Sequence, residues 1–204
     1  MGILRGIDIN DAEPLLESVI SAGLETIEVT MNTPGAIGII SRLKKISDGR
    51  ISVGAGTVLA PDQAGEALDA GAEFIVMPSF EEDVVSYCVG KDIPVFPGAF
   101  TPNEVIKAWR SGAAMVKVFP CGLFGPKYIK ELKGPFDGVS LMAVGGVRAD
   151  NIGEYFSCGA DAVAFGGSVF KKEWIAGGML QKIKDAVKEY VDAVRKNVSP
   201  EQAV

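Results

Sequence analysis

The segment RSGAAMVKV, residues 110–118, decides the fold, because a single glycine in it joins a helical pattern to a short apolar strand. The same arrangement occurs in SAGLETIEV (21–29), DAGAEFIV (69–76) and SCGADAVAF (157–165). A glycine directly after a helix is typical of the position where the backbone turns left-handed and the helix ends. These segments therefore predict a chain in which helices alternate with strands.

Eight short runs, many of them rich in β-branched residues, recur along the chain with helical patterns between them. They are residues 2–7, 26–31, 51–58, 74–79, 94–99, 115–120, 140–146 and 162–168. Eight strand–helix units in 204 residues predict an α/β fold, a single (β/α)8 TIM barrel spanning residues 1–204 as one domain. An open, doubly wound sheet is the main alternative. Residues from about 178 to 197 predict an amphipathic helix that covers the barrel wall.

Composition excludes several classes of function. The formal net charge of −6 argues against a nucleic-acid partner or an anionic membrane surface. No apolar run approaches the roughly 18 residues of a membrane helix, and the three cysteines are expected to be free thiols in the cytoplasm. The chain has no histidine, which excludes Ser-His-Asp and Cys-His catalysis and histidine-ligated metal sites.

One lysine stands in the middle of an apolar strand, AAMVKVFP at 113–120. Side chains alternate along a strand, so Val116 and Val118 are expected to face the helices and Lys117 the barrel interior. The same reasoning points Glu28 of TIEVT inward. The pair is interpreted either as a nucleophilic amine with a carboxylate proton shuttle or as a buried ion pair that only fills the barrel. The other lysines are predicted to be solvated.

Glycine pairs follow the last two strands, in the positions where this fold commonly binds phosphate. They are Gly145-Gly146 and Gly166-Gly167, the second followed by Ser168. Arg5, near the end of the first strand, is a candidate to hold a substrate carboxylate or phosphate, or else a rim arginine paired with Asp8. Thr57 follows two glycines that thin the end of the third strand, so that its hydroxyl group is expected to reach a ligand.

The segments IEVTMNTP, VGAGTVL, PGAFTPNE, VKVFP, GPF and GGV occur in this order. Together they resemble the class I 2-keto-3-deoxy-6-phosphogluconate aldolases and their relatives over nearly the whole chain. Asn32 stands where the phosphogluconate enzymes usually have arginine, and Val144 where they have threonine. Both features are more similar to the 2-dehydro-3-deoxy-6-phosphogalactonate aldolase branch of that family.

The resemblance implies specific roles for the candidate residues. Lys117 is then the Schiff-base lysine, Glu28 the general acid and base, and Thr57 a contact of the pyruvyl group. The remaining substrate-binding candidates are Arg5, Asn32, Phe119, Val144, Gly145, Gly146, Gly167 and Ser168.

The resemblance also implies a phosphorylated keto-acid substrate, no metal or other cofactor, and a homotrimer. Three alternatives remain open. One is 4-hydroxy-2-oxoglutarate as the substrate, another is a phosphate-binding isomerase or epimerase, and the third is a non-catalytic phosphosugar-binding barrel.

Overall fold

The computed structural model describes residues 1–198; residues 199–204 of the predicted domain lie outside the described residues. The strands are β1 (Gly2–Leu4), β2 (Thr26–Thr30), β3 (Ser52–Gly56), β4 (Ile75–Val76), β5 (Val95–Phe96), β6 (Gly98–Ala99), β7 (Val116–Val118), β8 (Leu141–Val144) and β9 (Ala162–Ala164). The helices are α1 (Ile9–Ser21), α2 (Ala36–Ser47), α3 (Pro61–Asp69), α4 (Glu82–Val89), α5 (Pro102–Arg110), α6 (Pro126–Lys133), α7 (Ile152–Ser157), α8 (Lys172–Ala176) and α9 (Leu180–Asn197). A short 3₁₀ helix spans Cys121–Leu123.

The strands form a closed parallel barrel. They pair in sequence order as β1 to β5 and β6 to β9. β5 and β6 are one strand position interrupted at Pro97, which has no N–H to donate, and Lys117 N donates to Pro97 O at 2.9 Å. The ring closes between β1 and β9, where Ile3 N donates to Phe165 O at 2.8 Å and Phe165 N to Met1 O at 3.1 Å. The predicted (β/α)8 barrel is thus confirmed, and the open sheet is wrong.

The glycines that end the helices have the expected conformation. Gly23, Gly71, Gly112 and Gly159 have φ angles of 85°, 99°, 95° and 96°, in the left-handed region where a side chain is disfavoured. Each lies between a helix and the strand that follows it. The glycine in each of the four sequence segments therefore ends its helix in the left-handed conformation, as predicted.

Most predicted strands are too long, mainly at their carboxyl ends. The runs 2–7, 51–58, 140–146 and 162–168 end as strands at Leu4, Gly56, Val144 and Ala164. Most of the residues beyond these points leave the sheet ladder and form the loops at one end of the barrel. Since parallel strands share one direction, all of these loops meet at that end.

The two faces of the strands differ as the alternation predicts. Ile27, Val29, Val116 and Val118 pack in the large apolar cluster between strands and helices. A second, smaller apolar cluster fills the barrel interior, with Met142, Val144 and Ala164 as its buried members. Outside the barrel wall, α9 packs on α1, α7 and α8. None of the helices within residues 1–198 has the length and apolar character needed to span a bilayer.

Candidate active site

Lys117 and Glu28 lie inside the barrel on strands that belong to different halves of the ring. Lys117 on β7 pairs with Gly98 and Met142, and Glu28 on β2 pairs with Ile3 and Gly54. Both side chains are buried, with 6% of Lys117 and 1% of Glu28 exposed. Two ionisable groups that are costly to bury are therefore directed into the same narrow interior.

The Glu28 carboxylate lies over a strand that has no side chain to displace it. A Cβ atom on Gly56 of β3 would lie 2.5 Å from both Cδ and Oε1 of Glu28, so the carboxylate occupies the space that any other residue would fill. Glu28 Oε2 is buried and has no hydrogen-bond partner within the part of the chain that the structure describes. A buried carboxylate oxygen without a partner is an acceptor left free for a ligand or a water molecule.

Burial shifts the protonation of both groups toward their neutral forms. Desolvation raises the pKa of Glu28, although the nearby positive charges of Lys117 and Arg5 act in the opposite direction. Desolvation also lowers the pKa of Lys117; the Glu28 charge opposes this shift and the Arg5 charge adds to it. An amine that loses its proton more readily, in the same interior as a carboxyl group that retains its proton more readily, is suited to nucleophilic and acid–base chemistry.

Arg5 follows β1 and faces the site rather than Asp8. The Asp8 carboxylate instead caps α1, accepting from Asn10 N at 2.9 Å, and no carboxylate among residues 1–198 lies within 4.0 Å of the Arg5 guanidinium. The rim pair with Asp8 is therefore wrong. The next residue, Gly6, is tied to the loop after β2, because Gly6 N donates to Thr33 Oγ1 at 2.9 Å.

A cavity of about 790 Å³ opens at the carboxyl ends of β1, β8 and β9. It brings together most of the predicted substrate-binding residues: Arg5, Phe119, Val144, Gly145, Gly146, Gly167 and Ser168. Gly145 and Gly146 have φ angles of 88° and 73°. A Cβ atom on Gly146 would lie 2.5 Å from Gly122 Cα, so the backbone after β8 packs directly on the backbone after β7.

Phe119 also lies near Lys117, and the two remaining substrate-binding candidates, Thr57 and Asn32, lie elsewhere. Phe119 is 39% exposed, and its ring centroid lies 5.3 Å from Lys117 Nζ, within the range of a cation–π contact. Thr57 follows β3 with a φ angle of 56°, which is strained for a β-branched residue and is typical of functional sites. Asn32 is exposed in the loop after β2, and neither Thr57 nor Asn32 lines the cavity.

The structure adds residues that the sequence did not single out. Arg148, Lys171 and Lys172 line the same cavity, although both lysines were predicted to be ordinary solvated residues. Tyr190 of α9 reaches the back of the loops after β8 and β9. Gly56 and Gly122 provide space by having no side chain. These residues could have been found only by knowing which strand ends and loops lie together in the folded chain. Within residues 1–198, no cluster of three or more His, Cys, Asp or Glu side chains is arranged to hold a metal ion.

Most of the chain matches a known protein family. The family model "KDPG and KHG aldolase" matches residues 1–186. The chain belongs to the KDPG and KHG aldolase family. The resemblance read from the sequence motifs is thereby confirmed, and the protein is an aldolase, a carbon–carbon lyase.

Several known proteins are similar to this chain along most of its length. The 2-dehydro-3-deoxy-6-phosphogalactonate aldolase of Escherichia coli K12 is 32% identical over 197 residues, covering 96% of each chain. KDPG aldolase from Legionella pneumophila, solved with pyruvate captured as a covalent carbinolamine intermediate, has a TM-score of 0.84 and 26% identity, covering 91% of this chain and 89% of that one. A designed protein cage built by fusing symmetric oligomeric domains has a TM-score of 0.90 and 31% identity, covering 96% of this chain and 72% of that one.

Proposed function

We propose that this aldolase reversibly cleaves 2-dehydro-3-deoxy-6-phosphogalactonate or 2-dehydro-3-deoxy-6-phosphogluconate to pyruvate and D-glyceraldehyde 3-phosphate, through an imine on Lys117. The observation that carries the proposal is the buried Lys117 amine, with its lowered pKa, in the same interior as a Glu28 carboxylate that has one unpartnered oxygen. The E. coli relative carries the name of the galactonate enzyme, and the Legionella relative forms a carbinolamine with pyruvate.

The first stage is formation of the imine. The unprotonated Nζ of Lys117 attacks the C2 carbonyl carbon of the substrate, and the resulting carbinolamine loses water to give a protonated imine. Burial favours the neutral amine that this attack requires. Glu28, whose pKa is raised by burial, supplies the proton with which the C2 hydroxyl group leaves as water.

The second stage breaks the C3–C4 bond. Glu28, ionised by that donation, accepts the proton of the C4 hydroxyl group at its unpartnered Oε2. The C3–C4 electron pair moves into the protonated imine, so that an enamine forms on Lys117 and glyceraldehyde 3-phosphate leaves. Glu28 then returns the proton to C3, and hydrolysis of the imine frees pyruvate and restores the amine. A positioned carboxylate in this role contributes about 10²–10⁴-fold to the rate.

The groups at the strand ends hold the two charged ends of the substrate. Bare backbone at Gly145, Gly146 and Gly167, together with the Ser168 hydroxyl group, forms the phosphate site. Arg5 is the carboxylate partner, because the arginine expected in the loop after β2 is replaced by Asn32. Thr57 lies toward the pyruvyl end. Val144 has no hydroxyl group where the phosphogluconate enzymes usually have that of threonine. Recognition of the C4 hydroxyl group of the substrate therefore differs, and with it the preference between the galacto and gluco epimers.

We propose that the protein is a cytoplasmic homotrimer. Its interface includes an exposed apolar patch formed by Phe100, Leu123, Phe124 and Tyr128, in which Leu123 and Phe124 are 72% and 62% exposed. The rings of Phe100 and Phe124 stack with centroids 5.6 Å apart, and the Tyr128 hydroxyl group donates to Phe100 O. Exposed patches of this kind mark contacts between proteins, and the designed relative is built from symmetric oligomeric domains.

Trapping of the imine tests the proposal. The protein is incubated with pyruvate and borohydride, and intact mass and peptide mapping locate any reduced adduct. We expect one pyruvyl adduct, on Lys117, and turnover of the phosphorylated substrate. Lys117→Met should show neither, whereas Lys107→Met, at an exposed lysine of α5 paired with Glu82, should behave as wild type. A folded wild-type protein without an adduct would exclude the imine mechanism.

A further inference from the structure

Tyr190 joins the two loops of the phosphate site from behind. Its hydroxyl oxygen lies 3.1 Å from Val147 O, in the loop after β8, and 3.0 Å from Ser168 Oγ, in the loop after β9. Val147 and Ser168 line the cavity, whereas Tyr190 does not. A residue of the C-terminal helix therefore contacts both halves of the site without being available to touch the ligand.

The number of protons at this junction limits the possible hydrogen bonds. The phenol has one O–H and the Val147 carbonyl can only accept, so the tyrosine proton goes either to Val147 O or to Ser168 Oγ. When it goes to Val147 O, the Ser168 proton is free to turn back toward the phenol oxygen. When it goes to Ser168 Oγ, the Ser168 oxygen is satisfied as an acceptor and the serine proton is directed elsewhere. An anionic phosphate in the cavity needs that proton and therefore favours the second arrangement.

We propose that Tyr190 is a positioning residue for the substrate phosphate: when the phosphate is bound, Tyr190 donates to Ser168 Oγ, so that the Ser168 hydroxyl proton points into the cavity. This inference rests on the proposed function and extends it to a residue outside the cavity lining. Tyr190 acts through Ser168 and makes no contact with the reacting atoms.

The surroundings of Tyr190 hold it in place for this role. It is 6% exposed, and its ring packs against Phe165 with centroids 4.4 Å apart. Phe165 carries the hydrogen bonds that close the barrel. Burial raises the pKa of Tyr190, although the Ser168 bond opposes this shift, so the phenol remains protonated and able to donate at neutral pH.

The test is Tyr190→Phe, which keeps the ring and removes only the hydroxyl group. Loss of one hydrogen bond to the loop should raise KM for the phosphorylated substrate about 3- to 10-fold. The kcat value should stay within about twofold, because the imine chemistry is elsewhere. Activity toward unphosphorylated 4-hydroxy-2-oxoglutarate and the yield of pyruvate adduct should be unchanged. Placing 4-aminophenylalanine at position 190 restores a donor and should restore KM.

A double-mutant cycle separates positioning from general support of the fold. If Tyr190 acts through Ser168, adding Tyr190→Phe to Ser168→Ala should raise KM no further than Ser168→Ala alone. Tyr87→Phe makes the same change on α4 and should leave both KM values unaltered. Thermal unfolding of each variant identifies any loss of folded protein, and the rescue by 4-aminophenylalanine distinguishes a lost donor from a disturbed loop.

Several results would overturn the inference while leaving the aldolase mechanism intact. These are an unchanged KM in Tyr190→Phe, an equal loss with the unphosphorylated substrate, full additivity with Ser168→Ala, or no rescue by the amine. Absence of both turnover and pyruvate adduct in the wild-type protein would instead contradict the proposed function itself.

Discussion

The carboxylate of Glu28 rests against the α-carbon of Gly56, in space that a Cβ atom would occupy at 2.5 Å from Glu28 Cδ. The two residues belong to neighbouring strands, β2 and β3, whose paired residues include Glu28 with Gly54 and Thr30 with Gly56. The missing side chain on Gly56 thus leaves the space in which the Glu28 carboxylate lies. The position from which we propose that Glu28 acts therefore depends on Gly56.

Gly56→Ala should lower kcat by about 10²-fold or more, since displacing a catalytic carboxylate by an ångström forfeits most of its contribution. The adduct with pyruvate should still form on Lys117 at a reduced rate. Steady-state kinetics and borohydride trapping measure the two effects. Gly38→Ala, in α2, where the new Cβ atom would lie 3.7 Å from Ile9 Cδ1, is the matched control and should keep full activity. Normal turnover in Gly56→Ala would show that Glu28 does not act from this position.

Arg5 should set the pH dependence of imine formation. Its positive charge helps to lower the pKa of Lys117, which favours the neutral nucleophile. Removing the charge in Arg5→Met raises that pKa, so the rate of adduct formation with pyruvate should need a higher pH to reach its plateau. Rates measured between about pH 6 and pH 10 test the direction, and Arg5→Lys, which keeps the charge, should retain the wild-type profile. A profile shifted to lower pH in Arg5→Met would contradict this electrostatic role.

Two alanine substitutions in the proposed phosphate site should differ in how much they lower the free energy of unfolding. Gly146→Ala combines a φ of 73° with a Cβ atom 2.5 Å from Gly122 Cα, and should lose about 1–3 kcal/mol of unfolding free energy. Gly167 has no atom within 4 Å of its Cβ position, so Gly167→Ala should fold with a stability within about 0.5 kcal/mol of wild type. Its new methyl group should still raise KM for the phosphorylated substrate. Urea unfolding and KM measurements are needed for both, and equal stability losses would refute the distinction.

Burial of Lys117 and Glu28 should lower the free energy of unfolding while providing the proposed catalytic groups. The pKa of Lys117 is lowered and that of Glu28 is raised, so at neutral pH both ionised forms are disfavoured by folding. Lys117→Met together with Glu28→Gln should abolish turnover yet equal or exceed the wild-type unfolding free energy, by up to about 4 kcal/mol. Lys117→Met alone should be less stable than the double variant, because the buried Glu28 loses the nearby positive charge of Lys117. Chemical denaturation measures all three proteins; a double variant less stable than wild type would mean that the pair stabilises the barrel.

Phe124→Glu should convert the proposed trimer to monomers, because it places a charge in the apolar patch. Met179→Glu, at a 40% exposed residue between α8 and α9, changes the charge equally and should leave the assembly intact. Light scattering coupled to size-exclusion chromatography gives the mass of each. A trimeric Phe124→Glu protein would place the interface elsewhere.

The sequence predicted the barrel well because its signals are local. A glycine after a helix and the alternation around Lys117 and Glu28 each depend on only a few residues, and the structure has the corresponding helix ends and the two inward-facing side chains. Strand lengths were overestimated because apolar residues such as Ile7 and Val58 continue the pattern after β1 and β3 have ended. The local sequence pattern does not show where a strand loses its hydrogen-bonded neighbouring strand.

The rest of the site depends on contacts between distant segments. Tyr190 reads as one apolar position of an amphipathic helix, and nothing nearby in sequence indicates that it reaches Val147 and Ser168. Gly122 and Gly146 are separate turn glycines in sequence, yet their backbones touch. Lys172 appears as a solvated lysine until α8 is placed beside β1, where its Cε would lie 3.6 Å from a Cβ atom on Gly6.

The seam between β1 and β9 has a consequence for ligand binding. Arg5 follows one side of the seam and Ser168 follows the other, each only a few residues from the amides that close the ring. In the proposed function, Arg5 holds the carboxylate and Ser168 the phosphate of one substrate molecule, which would then bridge the seam. Its binding free energy then opposes separation of β1 from β9, so that a saturating concentration of substrate should protect the enzyme against thermal opening at this seam.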